Sequence, residues 1–207
     1  MKFTKGKFIT FEGSEGCGKS TQSRLLCDYL EEKGYKVTYL REPGATKISE
    51  KIRDILLDAK NDGMSVPCEM LLYMAARAQI VDEIIKPALV RGGIVICDRY
   101  LDSTLAYQGY GLGVDIGLIK GVGKFATQGI MPCLTILLDV PVKKGLGYRK
   151  DSKDRIEQRS LLYHNRVRQG YFKLARLEPK RIKIVKVDHD KTVTQTRIRQ
   201  LVDKYVI

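Results

Sequence analysis

Gly13-Ser14-Glu15-Gly16-Cys17-Gly18-Lys19-Ser20 has the spacing GxxxxGK[ST], and the residues on either side decide how it is read. Before it, Lys7 to Glu12 is a short apolar run that reads as a buried strand. After it, Lys19 to Lys33 carries Leu25, Leu26, Tyr29 and Leu30 at helical spacing and stops at Gly34. Strand, glycine loop and helix, in that order, form the context the motif requires. Glycines let backbone N–H groups turn inward around phosphate oxygens, and the helix start adds its partial positive charge. Gly13, Ser14, Glu15, Gly16, Cys17, Gly18, Lys19, Ser20 and Thr21 are therefore the expected cradle of a nucleoside triphosphate. Lys19 would reach its β and γ phosphates, Ser20 would ligate Mg²⁺, and Thr21 would support the helix start. ATPases, GTPases and kinases share this loop, so other residues must name the acceptor.

Working outward, the pattern keeps alternating. Lys36 to Leu40, Ile94 to Asp98, Leu134 to Asp139 and Ile182 to Asp188 read as further strands. Ile48 to Leu57, Cys68 to Val90 (interrupted late by Pro87), Glu157 to Leu177 and Val193 to Tyr205 read as helices. Such alternation predicts an α/β fold of three layers, a five-stranded parallel sheet flanked by helices, in one domain over 1–207. Ligands of such sheets lie beyond the carboxyl ends of the strands, which is where Glu12, Arg41, Asp98 and Asp139 fall. Glu12 and Asp98, ending strands beside the loop, are candidates to hold Mg²⁺ or its waters. For Asp98, capping a helix or orienting an arginine competes with that role.

The 207 residues are 43% apolar, enough for a sizeable core, and no run approaches the roughly 18 apolar residues of a membrane span. Five scattered cysteines without a CxxC pair read as reduced thiols, so a cytoplasmic protein with no membrane partner is expected. The net charge is +13, and Lys143 to Lys186 alone holds 15 Lys or Arg against four acids. Charge of this kind attracts polyanions of any sort, but no nucleic-acid motif accompanies it, and none is expected as a partner.

Three segments speak for the acceptor: Arg41-Glu42-Pro43-Gly44, Tyr73-Met74-Ala75-Ala76-Arg77, and Asp98-Arg99-Tyr100 followed by Ser103-Thr104 and Ala106-Tyr107-Gln108-Gly109. With Phe11-Glu12-Gly13, in this order and spacing, they resemble the bacterial thymidylate kinase family from about Phe8 to Asp188. The resemblance implies the P-loop NTPase fold with a short mobile lid, ATP as donor with Mg²⁺, and dTMP as acceptor. It also implies a homodimer. A phosphate dianion needs charge-assisted donors, and Arg99 directly after a strand can supply a bidentate pair.

By resemblance Arg99 grips the dTMP phosphate, with Arg41, Glu42 and Pro43 close by and Arg53 near the base. Tyr73 would stack on thymine, Arg77 one helical turn on would reach its O4, and Thr104 and Gln108 would complete the edge. Tyr107 would press on the sugar at C2′, and Glu15 would accept from the 3′-hydroxyl.

Transfer also needs positive charge on the moving group. Relatives that lack a basic residue at the positions matching 14–17, as this chain does, take it from the lid, here about 143–156. Within Tyr148 to Arg155, Arg149 is favoured as the transition-state arginine, with Lys150, Lys153 and Arg155 as alternatives; Lys150 stands where an arginine is often found. Ala45 and Cys133 are two smaller departures from the family pattern. Catalytic roles are thus expected of Lys19, Arg99, Arg149 and Glu15. The nearest alternatives are a kinase of the same fold acting on dUMP, CMP or a deoxynucleoside, and a basic ATPase that binds nucleic acid.

Overall fold

The computed structural model of the chain describes residues 6–148 and 154–207. Its sheet contains five parallel strands, β1 (Lys7–Glu12), β2 (Val37–Arg41), β3 (Ile94–Asp98), β4 (Leu134–Asp139) and β5 (Ile182–Lys186), in the order β2-β3-β1-β4-β5. Side chains alternate across each strand, so consecutive residues enter different layers. Phe8, Val95, Cys97 and Leu137 join one apolar cluster, while Ile9, Phe11, Ile94, Ile96, Leu134, Ile136 and Leu138 join the other. Burying each large side chain of this kind stabilises the fold by about 1.5–3 kcal/mol.

Two helices cover the second cluster: α1 (Lys19–Glu32), through Leu26 and Leu30, and α9 (Lys191–Tyr205), through Ile198 and Val202. The opposite face carries α3 (Val66–Ile80), α4 (Lys86–Val90), α5 (Leu101–Thr104), α6 (Ile116–Ala126) and α8 (Leu161–Leu177). Two further helices, α2 (Lys47–Leu57) and α7 (Val142–Gly147), follow β2 and β4. No helix among the described residues is long and apolar enough to cross a membrane.

The expected long helix over Cys68 to Val90 is three pieces, because a wide turn of π type, Val81–Ile85, separates α3 from α4. Pro87 has no N–H to give and its ring would collide with the carbonyl four residues back, so the irregularity precedes the proline. The helix expected from Glu157 begins instead at Leu161. Ser160 accepts from Tyr163 N as its N-cap, and Asp154 Oδ1 ties the preceding turn by accepting from Ile156 N and Glu157 N. The stretch between β3 and β4, in which no helix is expected, holds α5, a wide turn over Leu105–Gly111, and α6. Gly109, Gly111 and Gly123 serve close packing there, and a Cβ at Gly123 would lie 2.6 Å from Leu101 Cδ1, whereas Gly113 and Gly129 turn the chain at left-handed φ.

Register sets the strand ends level. Arg41 and Phe11 both stand opposite Asp98, so Glu12, Arg41, Asp98 and the following Arg99 emerge at one edge. The chain passes from β1 to β2 on one side of β1 and from β3 to β4 on the other, so the crevice opens where β1 ends.

Candidate active site

At that edge lies a cleft of about 360 Å³ lined by expected residues of both the donor and the acceptor halves. Residues 15–21 form one wall, and Arg41, Glu42, Pro43, Arg53, Tyr73, Asp98, Arg99, Thr104, Tyr107 and Gln108 line the rest.

The phosphate loop owes its shape to left-handed backbone at Gly13 (φ 139°), Gly16 (φ 68°) and Gly18 (φ 86°). Gly16 and Gly145 of α7 approach so closely that a Cβ on either would strike the other segment's backbone carbonyl, so α7 packs directly on the loop. Gly18 opens α1 with no side-chain cap, which leaves the helix's first N–H groups to a ligand. Lys19 is buried, and its Nζ donates to the carbonyls of Gly13 (3.0 Å) and Ser14 (2.9 Å). Ser20 Oγ donates to Asp98 Oδ2 at 2.6 Å, so the hydroxyl and the carboxylate expected to serve Mg²⁺ are already side by side.

Arg99 is the centre of the other half. Its φ of 75° is left-handed, a conformation that costs a non-glycine residue about 1–3 kcal/mol and that collects at functional sites. Two bonds hold it there: Arg99 N donates to Phe11 O, and Tyr100 N donates to Glu12 Oε1. The guanidinium then reaches back over the phosphate loop. Nη2 donates to both oxygens of Glu15 at 2.9 Å, and Nη1 donates to Gly13 O at 3.1 Å and Ser103 Oγ at 3.2 Å. Tyr107 donates to Glu15 Oε1 at 2.7 Å and lies under the Arg99 guanidinium. Burial alone would lower the Arg99 pKa, but Glu15 and the neighbouring tyrosines outweigh it and hold the charge firmly on. Burial, followed by the charge of Arg41, pulls Arg53 below its usual range against the opposing charge of Glu50. Both arginines donate to Pro43 O, and Arg41 also pairs with Glu50.

Some expected residues stand elsewhere. Glu12 reaches the strand end, but its geometry does not suit the expected metal role: it is fully buried, and its oxygens accept from Tyr100 N, Ser103 Oγ and Tyr171 OH. Burial raises its carboxyl to about 7, helped by the charge of Asp102. It braces Arg99 through Ser103 and Tyr171, each of which also meets the guanidinium. Arg77 is likewise buried behind the cleft rather than on it. Nε donates to Glu42 Oε2 (2.8 Å), Nη2 to Tyr100 O and Nη1 to Thr104 Oγ1 (3.1 Å), so contact with a base would pass through Thr104. Asp139 is taken up by Arg168. Arg155, one of the alternatives for the transition-state arginine, is buried and ion-paired to Glu69. Arg149, Lys150 and Lys153 lie outside the described residues.

The sequence reading missed Glu50, Glu69, Ser103 and Tyr171, which hold the site from behind. Only Ser103, inside a quoted motif, carried any signal.

Nearly the whole chain is similar to known proteins of one family. The sequence model of the family described as thymidylate kinase matches residues 11–198. A thymidylate kinase of Geotalea daltonii is 51% identical over 202 residues, covering 93% of this chain and 94% of that protein. One from Thermoanaerobacter sp. (strain X514) is 46% identical over 203 residues, 98% and 100% of the two chains. Among solved structures, that of thymidylate kinase from Ehrlichia chaffeensis superposes with a TM-score of 0.78 at 34% identity, covering 95% of this chain and 98% of that one.

Proposed function

The chain belongs to the thymidylate kinase family, and from that membership we propose that it moves the γ-phosphoryl group of ATP onto dTMP, giving ADP and dTDP. One observation supports this reading above the rest. Arg99 leaves β3 and touches both Gly13 O and Glu15 of the phosphate loop, so an acceptor phosphate on Arg99 lies next to the triphosphate in the loop. In phosphoryl transfer the two phosphates must lie in line, with water excluded and the moving charge matched.

In the proposed sequence, N–H groups of residues 13–21 cradle the donor, and Lys19 turns from the Gly13 and Ser14 carbonyls to the β and γ phosphates. Arg99 exchanges Glu15 for the acceptor phosphate, and the freed carboxylate accepts from the 3′-hydroxyl while Tyr107 crowds C2′. Arg41 and Arg53 add charge, Tyr73 stacks on the base, and Thr104 and Gln108 read its edge. An oxygen of the acceptor phosphate attacks the γ phosphorus as the bond to the β-phosphate oxygen breaks, and ADP leaves. Arg149 would supply the remaining positive charge from a lid over about 143–156 within a single 207-residue domain.

Ser20 and Asp98 offer hard oxygen donors 2.6 Å apart, and no cluster of three or more His, Cys, Asp or Glu among the described residues competes with them. That set suits Mg²⁺, which keeps several waters and takes its other ligands from phosphates. When bound there it would offset charge on the β and γ oxygens. We further propose a cytoplasmic homodimer, as the family resemblance implies.

A coupled assay with ATP, Mg²⁺ and a panel of nucleoside monophosphates tests the reading. Turnover should be fastest with dTMP, and equal rates with CMP or dUMP would contradict it.

A further inference from the structure

Behind the cleft, Glu69 of α3 is fully buried and receives donors from three directions. Gln108 Nε2 donates to its Oε1 at 2.8 Å. Arg159 donates through Nη1 (3.3 Å) and Nη2 (2.6 Å), and Arg155 Nη1 lies 2.6 Å from Oε2. A carboxylate held by two guanidinium groups only accepts, whereas an amide has a donating and an accepting end. Glu69 therefore locks the Gln108 NH₂ toward itself, and turning the amide over would set oxygen against oxygen. The carbonyl Oε1 is the end left for the cleft, which Gln108 lines.

Thr104, on the same cleft, is polarised in the opposite sense. Its Oγ1 accepts from Arg77 Nη1 at 3.1 Å, and Arg77 is itself fixed by buried Glu42 at 2.8 Å. The threonine's own O–H is then its contribution as a donor. One acceptor beside one donor complements a pyrimidine edge with a ring N–H next to a carbonyl. It opposes an edge with a bare ring nitrogen next to an amino group.

We propose that Glu69 is a positioning residue that sets the polarity of Gln108, and through it the choice of an oxo-pyrimidine over an amino-pyrimidine monophosphate. The proposal rests on Gln108 reading the acceptor base. Sites built around hydrogen-bonding groups reject mismatched analogues strongly because the site's own polar atoms are left unpaired.

The test compares kcat/KM for dTMP and dCMP at saturating ATP and Mg²⁺ in the unmodified chain and in Glu69→Gln. With an amide at 69, either end of Gln108 can face it, so the dTMP-to-dCMP ratio should fall by about tenfold or more. Removing one partner of a buried ion pair destabilises a fold. A second variant, Glu69→Gln with Arg159→Met, therefore removes one stranded cation together with the charge, and thermal unfolding identifies which variants are folded. A folded variant whose rates drop in proportion for both acceptors, leaving the ratio unchanged, overturns the proposal by making Glu69 merely structural. Independently of either variant, the Gln108 side-chain amide of the unmodified chain should show one proton protected from solvent exchange by NMR, and two freely exchanging protons would also overturn it. An unmodified enzyme that uses dCMP as well as dTMP would instead sink the functional reading on which the inference rests.

Discussion

Arg99 and Glu15 face each other across the cleft, with Nη2 of the arginine 2.9 Å from both carboxylate oxygens. The group proposed to grip the acceptor phosphate is thus held by an acid of the donor's own loop. The ion pair is mostly buried, at 16% and 11% side-chain exposure, so it holds the guanidinium in place, and a phosphate dianion must compete for it.

Arg99→Gly separates the roles of this residue. Glycine relieves the left-handed backbone at φ 75°, which offsets part of the stability lost when the guanidinium is taken from the mostly buried pair with Glu15. Meanwhile kcat/KM for dTMP should fall by about 10³-fold, on the scale of lost electrostatic stabilisation of a transition state. Arg99→Lys should recover little of it, because an ammonium lacks the planar fork. Steady-state kinetics and thermal unfolding of both variants check this.

Glu12 predicts a pH dependence. Burial raises its carboxyl from 4.5 to about 7, so between those values the folded chain binds a proton that the unfolded chain has lost. Stability from this group is full below about pH 4.5 and is lost as pH rises through 7. Glu12→Gln titrates nothing, so the stability of the unmodified chain minus that of Glu12→Gln should decline across this window. Urea unfolding of both chains at a series of pH values measures the difference, and an increase with pH would contradict the assignment. Glu42, raised to about 7 by burial against the opposing effect of Arg77, should behave in the same direction.

Ser20→Ala removes one oxygen donor and the 2.6 Å hydrogen bond to Asp98. The Mg²⁺ concentration for half-maximal rate should rise by about tenfold or more, the usual loss when a metal site's supporting contacts are cut. dTMP binding, measured by calorimetry without metal, should be unaffected.

Arg149→Ala should lower kcat by about 10³-fold or more with dTMP affinity little changed, the signature of an interaction made only in the transition state. Unchanged turnover would move the role to Lys150, Lys153 or Arg155.

Local signals and long-range ones were not equally legible. β1, β3 and β4 carry continuous apolar runs, and their predicted bounds are those observed. The phosphate loop announces itself because backbone shape demands glycine at fixed offsets. Arg77 illustrates the limit: helical spacing puts it one turn beyond Tyr73, but only the fold shows that Glu42, 35 positions earlier, draws its guanidinium behind the cleft. Glu12 looked like a metal acid for the same reason, since its partners Ser103 and Tyr171 lie 91 and 159 positions away. Such pairs leave no periodicity in a sequence. α6 stayed hidden because Gly117, Gly121 and Gly123 resemble turn residues, and α5 because it is only four residues long.

Calorimetric titration with a bisubstrate compound that joins adenosine to thymidine through a polyphosphate bridge tests whether donor and acceptor meet across the cleft. Two nucleotides meeting at Lys19 and Arg99 predict one compound bound per chain, more tightly than ATP or dTMP alone, with ATP and dTMP each competing against it. Binding that only one of the two nucleotides displaces would show that the two sites do not meet.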